Sequence, residues 1–375
     1  MMKPISTFGQ TALRNAQLRR LEGEIATATN ELATGKKEDV AKTIGSELIN
    51  LQGVRNQFTE NNAYLRSISI FKQRSDLMDG ALAEAEAAVE DLTKVAALNA
   101  AEPLDSAGSV KLVAESLLDR IVTALNVQVG GRYLFGGARV DQQALQPIEK
   151  NGAGGVTPLD IANNITTGTT GVAGFAATDL TTVTTVAEAD ELLQRFEDVF
   201  YGTNAASADP AAQAYSFENT IYNGEIDGSL LEIRLPNNTI ETQLNDELIN
   251  GLRDVFQGAY ILASVDLESI DDDDAYRQLM TGDDFGRQGA LDRITSGLAA
   301  IQRSRADLGL RFNVVDAAEE AVRAQNALLN NQIVALEGVD RAEVTTRLLD
   351  IENQLEASYA VTGRVLQLRL FNYVR

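Results

Sequence analysis

The sequence predicts a mainly α-helical protein. Its N- and C-terminal halves form a long antiparallel helical rod or coiled coil, with a β-rich domain inserted between them. Three observations carry this. Apolar residues recur at alternating steps of three and four near both ends of the 375-residue chain, which is the spacing of a helix that buries one narrow stripe. A Gly-, Thr-, Ala- and Asn-rich stretch with little charge separates those ends. The charge is also segregated. Residues 1–80 hold 11 Lys/Arg against 9 Asp/Glu, and residues 303–375 hold 9 against 10. That leaves 12 against 35 for residues 81–302, a net −23, so all of the chain's net charge of −22 arises in the middle.

The first helical stripe is Leu18, Leu21, Ile25, Ala28 and Leu32, with Ser6 or Thr7 as its cap and Gly35 in "ATGKKED" as its stop. Residues 36–45 read as a polar loop. The second stripe runs from Val54 to Asn99, and ten of its fourteen seam positions are apolar. As one helix, at ~1.5 Å per residue, it would be about 70 Å long, and Pro103 ends it. A third helix is expected over about 109–129. Asn61 and Ser75 interrupt the second stripe, and Glu319 and Asn326 interrupt a later one. Such residues either fix the register of a helix pair or face water.

"GGRYLFGG" (130–137) follows the third helix. Two glycines four residues apart suggest a phosphate loop, but the order is wrong. A P-loop has a strand before it and a helix after it, with Lys and Ser/Thr behind the second Gly. Here Gly137 and Ala138 stand in those places. The stretch reads instead as the end of a helix, with Gly130 or Gly131 in the left-handed position, then a short strand over 133–135 and a turn at Gly136-Gly137.

Residues 141–245 form the inserted domain. "NGAGGVTPLDIANNITTGTTGVAGFAATDLTTVTTV" reads as strands and loops, and "IYNGEIDGSLLEIRLPNNTIETQL" as a β meander carrying Ile226, Leu231, Ile233 and Leu235. Helical spacing returns at about 246. A long helix over about 285–337 carries Phe312, Val315, Glu319, Val322, Asn326, Leu329, Ile333 and Leu336, six of the eight apolar. Gly338 ends it. Asp340 and Glu343 open the last helix with a D-x-x-E capping pattern. The division expected is 1–140, the N-terminal half of the rod; 141–245, the insertion; and 246–375, the C-terminal half, in which 338–375 is the terminal helix.

The composition restricts chemistry. With no Cys and no His, there is no thiolate nucleophile, no imidazole base and no Cys/His metal site. "SIDDDDAY" (269–276) could suggest calcium. An EF-hand loop counted from Asp271 needs Gly sixth and Glu twelfth, where Tyr276 and Gly282 stand, so a solvated acidic loop is the reading. The opening "MMKPISTFGQTALRNAQ" has no apolar core of a cleaved signal, and no run of 18 apolar residues occurs. The acidic middle disfavours nucleic acid and anionic membranes. No enzyme, cofactor or metal is expected.

Four stretches carry a resemblance. "ELATGKK" (31–37) looks like an S/T-G-K/R turn after a first helix. "GGRYLFGGARVD" (130–141) is similar to a G-x-Y-[IL]-F-x-G stretch, and "IYNGEIDGSLLEIRL" (221–235) to a Y-x-G-[ED] strand region. "LEGVDRAEVTTRLLDIENQLEASYAVTGRVLQLRLFNYV" (336–374) looks like a closing helix pair. In this order they resemble axial proteins of the bacterial flagellum, and among those the hook-associated protein 3 family, the junction proteins between hook and filament. "EDVAKTIGSE" departs from that family's P-S-D-D-P-like run.

The resemblance implies a structural, self-assembling subunit secreted through the flagellar export apparatus without a cleaved signal. Its implied partners are copies of itself in a ring or helical layer, an adjacent hook-associated protein, flagellin and an export chaperone. It also implies termini that are poorly ordered in the monomer and pair on assembly. The candidate assembly residues are Leu18, Leu21, Ile25 and Leu32 on the first helix and Val344, Leu348, Ile351, Leu355, Leu366 and Leu370 on the last. Two alternatives are flagellin itself, whose F-N-G-type stretch "GGRYLFGG" does not match, and a flagellin-like surface protein that binds glycans through Tyr201, Tyr215, Phe217 and Tyr222. Such aromatics are more often core.

Overall fold

The computed structural model describes residues 7–101, 107–148, 157–168, 178–201, 216–225, 232–236, 239–241, 246–283 and 286–373. The mainly α class holds: long helices dominate, and the two sheets are both two-stranded. Two compact units arise, one from residues 1–65 and 320–375, the other from residues 66–319.

In the first unit, α1 (Thr7–Thr34) stops at Gly35, whose φ of 69° is the left-handed stop expected. The expected polar loop over 36–45 is corrected. Asp39 accepts a hydrogen bond from the Lys42 N–H and caps a short helix, α2 (Val40–Ile44), and a 3₁₀ turn (Gly45–Glu47) follows. α3 (Leu48–Ala101) and α10 (Ala290–Glu337) each contribute to both units. Their pairing is antiparallel: Arg55 meets Glu337 and Asn62 meets Asn326. α11 (Arg341–Tyr373) begins at the Asp340 cap, whose Oδ1 accepts the Ala342 N–H at 2.8 Å. It runs antiparallel to α1, with Arg347 on Glu31 and Tyr359 on Glu22.

The second unit is built around α8 (Asp246–Ser264), buried along nearly its whole length. Gly251 and Gly297 let α8 and α10 approach closely: a Cβ on Gly251 would lie 2.4 Å from the Ala300 Cβ. α4 (Ala107–Leu125) and α9 (Asp273–Thr281) belong to the same core. Aromatic rings connect it, with Phe196–Phe200 at 6.0 Å, Phe200–Tyr260 at 6.1 Å, Phe256–Tyr260 at 6.1 Å and Phe217–Phe256 at 5.8 Å between centroids. α3 and α10 continue antiparallel here, with Lys72 held by Asp316 and Glu319 and Arg305 by Asp79 and Glu86.

Several expectations in this unit are corrected. α4 ends at Leu125, not near 129. The chain then forms a hairpin of β1 (Gln128–Val129) and β2 (Arg132–Tyr133) around Gly130 and Gly131. Both glycines have positive φ, 58° and 80°, which a two-residue hairpin turn of the primed type requires. They form the turn and do not act as a helix stop. Leu134 and Phe135 are both buried and do not alternate as in a strand.

The "TPLDIANNITTG" part of the expected strands is a helix, α5 (Pro158–Thr167). Thr157 and Asp160 cap each other reciprocally at 3.0 Å, Pro158 opens the helix, and left-handed Gly168 closes it. α6 (Val186–Tyr201) follows, held at its start by Glu188, which accepts from the Thr184 and Thr185 N–H groups. Residues 151–156 and 169–177 lie outside the described residues. After α7 (Phe217–Thr220), the expected meander is a single hairpin among the described residues. It pairs β3 (Glu232–Arg234) with β4 (Thr239–Glu241), Ile233 opposite Ile240. Ile226 and Leu231 fall outside the described residues. The "SIDDDDAY" loop is in fact the start of α9: Asp272 accepts from the Asp274 N–H, and Asp273 and Asp274 occupy the favourable first turn.

Among the polar seam residues, Asn61, Ser75 and Asn326 are buried, and Glu319 is half-buried on Lys72.

Candidate assembly surface

The candidate surface is the helical pair α1–α11. Its stripes form by spacing alone: steps of three and four bring Leu18, Leu21, Ile25, Ala28 and Leu32 to one face of α1, and Val344, Leu348, Ile351 and Leu355 to one face of α11. The structure turns these two faces toward each other. Leu21, Ala28, Val344 and Ile351 are buried; Leu18, Ile25, Leu32, Leu348 and Leu355 are half-buried. Leu366 and Leu370 lie on α11, with side chains outside the described residues. Two shallow grooves run along the seam. One is lined by Arg14, Leu18, Val361 and Thr362, the other by Arg20, Leu21 and Gln354.

The stripe is therefore already occupied within one chain. Leu13, Leu349, Tyr359 and Val361 are at least half exposed. Sequence reading passed them over because they fall off the heptad register. The signal that could have found them is a large apolar residue on the polar side of a stripe.

Polar contacts fix the ends of the pair. Glu31, largely buried, takes Arg347 and accepts the Glu38 N–H at 3.3 Å. Tyr359 donates to Glu22 at 3.1 Å, which raises the phenol pKa. Where the pair joins α3 and α10, Glu337 is only 2% exposed and accepts from Arg55 Nε at 2.6 Å. The Arg55 guanidinium, and Lys36 after it, hold the Glu337 carboxyl below its usual range.

The aromatics considered for glycan binding belong to the core. Phe217 and Tyr222 are buried and stacked at 6.2 Å, and burial pushes the Tyr222 phenol up to about 12. Tyr201 is half-buried, donates to Asp254 at 2.6 Å, and lies under the guanidinium of Arg253. Tyr215 is outside the described residues. Among the described residues no group of three or more acidic side chains could hold a metal, and no helix is long and apolar enough to cross a membrane.

These features define a helical protein with paired terminal helices. Residues 291–374 match the family model of the bacterial flagellin C-terminal helical region. That span covers most of α10 and all of α11. A solved structure from Vibrio parahaemolyticus, assigned to the flagellar hook-associated proteins, aligns with 78% of this chain and 98% of its own at 11% identity and a TM-score of 0.48. No curated protein matches the chain.

Proposed function

We propose that this protein is the hook–filament junction subunit of a bacterial flagellum. It is non-enzymatic and is exported through the flagellar secretion route without a cleaved signal. The observation that supports this most is the flagellin C-terminal region at 291–374, joined to an α1 that packs along α11. The GGRYLFGG hairpin (130–137) adds the motif by which the sequence resembles junction proteins more than flagellins.

In this reading residues 1–140 and 246–375 are the two helical halves, and residues 338–375 are the terminal assembly helix. Residues 141–245 are an outward insertion, where water and salt screen the acidic charge of the middle. Copies of the chain form a ring or helical layer between an adjacent hook-associated protein and flagellin, and an export chaperone protects the chain beforehand. The stripes Leu18–Leu32 and Val344–Leu370 set the α1–α11 pair that neighbours contact.

The test is deletion of the gene with complementation by an epitope-tagged copy. The junction reading expects hooks without filaments in the deletion strain, flagellin lost to the medium, and immunogold label at the hook tip alone. Label along the whole filament would instead identify a flagellin, and motile deletion cells would overturn both.

A further inference from the structure

We propose that the core of residues 66–319 binds ordered water in a polar seam along one face of α8, with Gln257 and Tyr260 as its principal ligands. Spacing builds the seam. Arg253, Gln257 and Tyr260 stand at steps of four and three, so their side chains leave α8 on the same face. Ring contacts show where that face points. Phe200 and Tyr201 are consecutive residues at the end of α6. The Tyr260 ring lies 6.1 Å from Phe200, and the Arg253 guanidinium 4.7 Å from the Tyr201 ring. Gln257 stands between the two on α8 and so shares the side turned toward the last turn of α6.

The seam is polar where the rest of this core is aromatic and aliphatic. Gln257 and Tyr260 are fully buried. Yet Gln257 Oε1, Gln257 Nε2 and the Tyr260 hydroxyl have no hydrogen-bond partner among the described residues, and neither does Arg253 Nε. A buried polar group without a partner is costly. Native cores hold few of them, and here three residues within two turns of one helix carry such atoms together. That concentration points to a ligand that satisfies them.

The groups define its chemistry. A carboxamide offers both donors and an acceptor, a phenol offers one of each, and Arg Nε only donates. The ligand must therefore be small and neutral, and must both donate and accept. An anion would meet the carboxamide oxygen, and a cation would meet the guanidinium of Arg253. Water meets every requirement, with about two to four hydrogen bonds per molecule.

The seam also reaches the surface. Arg253 pairs with Glu218, Tyr201 donates to Asp254 at 2.6 Å, and Arg293 reaches Asp254 at 3.2 Å and Glu197 at 3.4 Å. Glu197 and Glu218 are half-buried, so these ion pairs give water a polar route in and out. Bound water fixes how α8 sits among rings that alone tolerate more than one packing. The seam lies wholly within residues 66–319, so it is independent of the junction reading.

Magnetic relaxation dispersion of the water oxygen signal counts long-lived internal waters in the full-length protein. The natural protein should hold at least one more of them than Gln257→Met/Tyr260→Phe, which keeps the side-chain volumes and removes the three orphaned atoms. Equal counts would overturn the proposal. Should the double variant not fold, Tyr260→Phe alone gives the answer by calorimetry. Its Tm should fall by about 2 °C, the shift of one lost hydrogen bond in a chain of this size. An unchanged or higher Tm would show a dry hydroxyl and overturn the site.

Discussion

The two compact units are held together by different physics. The unit of residues 66–319 is wide and aromatic: Phe196, Phe217, Phe256 and Tyr260 are among its largest fully buried side chains, with α8 enclosed on most sides. The unit of residues 1–65 and 320–375 is thin. Its buried residues are single stripes, and polar ones interrupt them: Glu31, Asn61, Asn326 and Glu337. A wide core draws stability from burial and packing. A thin one depends on caps, turns and paired charges, each small and each easily lost. The contrast shows that one mainly helical chain can combine a self-sufficient body with ends whose order rests on a few specific contacts.

The largest expected effect breaks the wide core. Phe256→Ala removes a ring that packs on both Phe217 and Tyr260, and it should cost about 3–5 kcal/mol. Calorimetry should show a lower main transition, with the α1–α11 signal following only because the chain unfolds. Next is Arg293→Met. Arg293 is 4% exposed and bridges Glu197 and Asp254, both half-buried, so its loss removes charge-assisted contacts worth about 2 kcal/mol. Chemical denaturation should reveal it as an earlier midpoint with the same slope.

Opposite pH limits sharpen the comparison. The Glu337 carboxyl is depressed by Arg55 and Lys36. Its contribution is present above the ordinary carboxylate pKa and is lost as pH falls through the lower folded value. The thin unit should therefore loosen first in acid. Tyr222 and Tyr276 are pushed up to about 12 by burial, and Tyr260 is raised further. Their contribution is full below the ordinary value of 10.0 and declines as pH rises above it. The wide unit should fail in alkali, with the tyrosinate absorbance of these three phenols appearing at the unfolding step. Exchange in acid and absorbance in base check the two halves separately.

The smallest effect concerns register. Asn326 donates to Asn62 at 3.1 Å, while its own carbonyl oxygen and the Asn61 amide are buried without partners. Asn326→Leu should change stability by less than about 1 kcal/mol, or raise it, while loosening the pairing of α3 with α10. The natural chain has no cysteine, so single engineered Cys pairs can read that register directly. Cross-links appearing one heptad out of place are expected only in the leucine variant.

What was legible in the sequence follows from these differences. The long stripes of α3 and α10 were readable because periodicity survives a few polar interruptions, and Gly35 and Asp340 marked real ends. α5 and α6 were missed because threonine-rich composition was weighed above local chemistry. The Thr157-Pro158-x-Asp160 capping box and the apolar spacing of Ala189, Leu192, Leu193 and Phe196 were already visible. The contact of Arg55 with Glu337 was not visible. Arg55 and Glu337 are 282 positions apart, and nothing in either local stretch shows that they meet. The stripes Leu18–Leu32 and Val344–Leu355 were legible as spacing, whereas Leu13, Leu349, Tyr359 and Val361 fall off that register and were not.

In the proposed function the α1–α11 pair is the part of the chain that assembles. The most direct measurement uses Leu348→Asp/Leu355→Asp. Both residues are half-buried on the α11 face toward α1, so each aspartate places a charge against the seam at a cost of several kcal/mol, on the order of an unpaired desolvated group. In cells lacking the natural gene, this variant should be exported yet absent from purified hook–filament structures under the electron microscope. The main calorimetric transition of the purified variant, which reports the wide core, should stay in place. Normal filaments carrying the double variant would contradict the account.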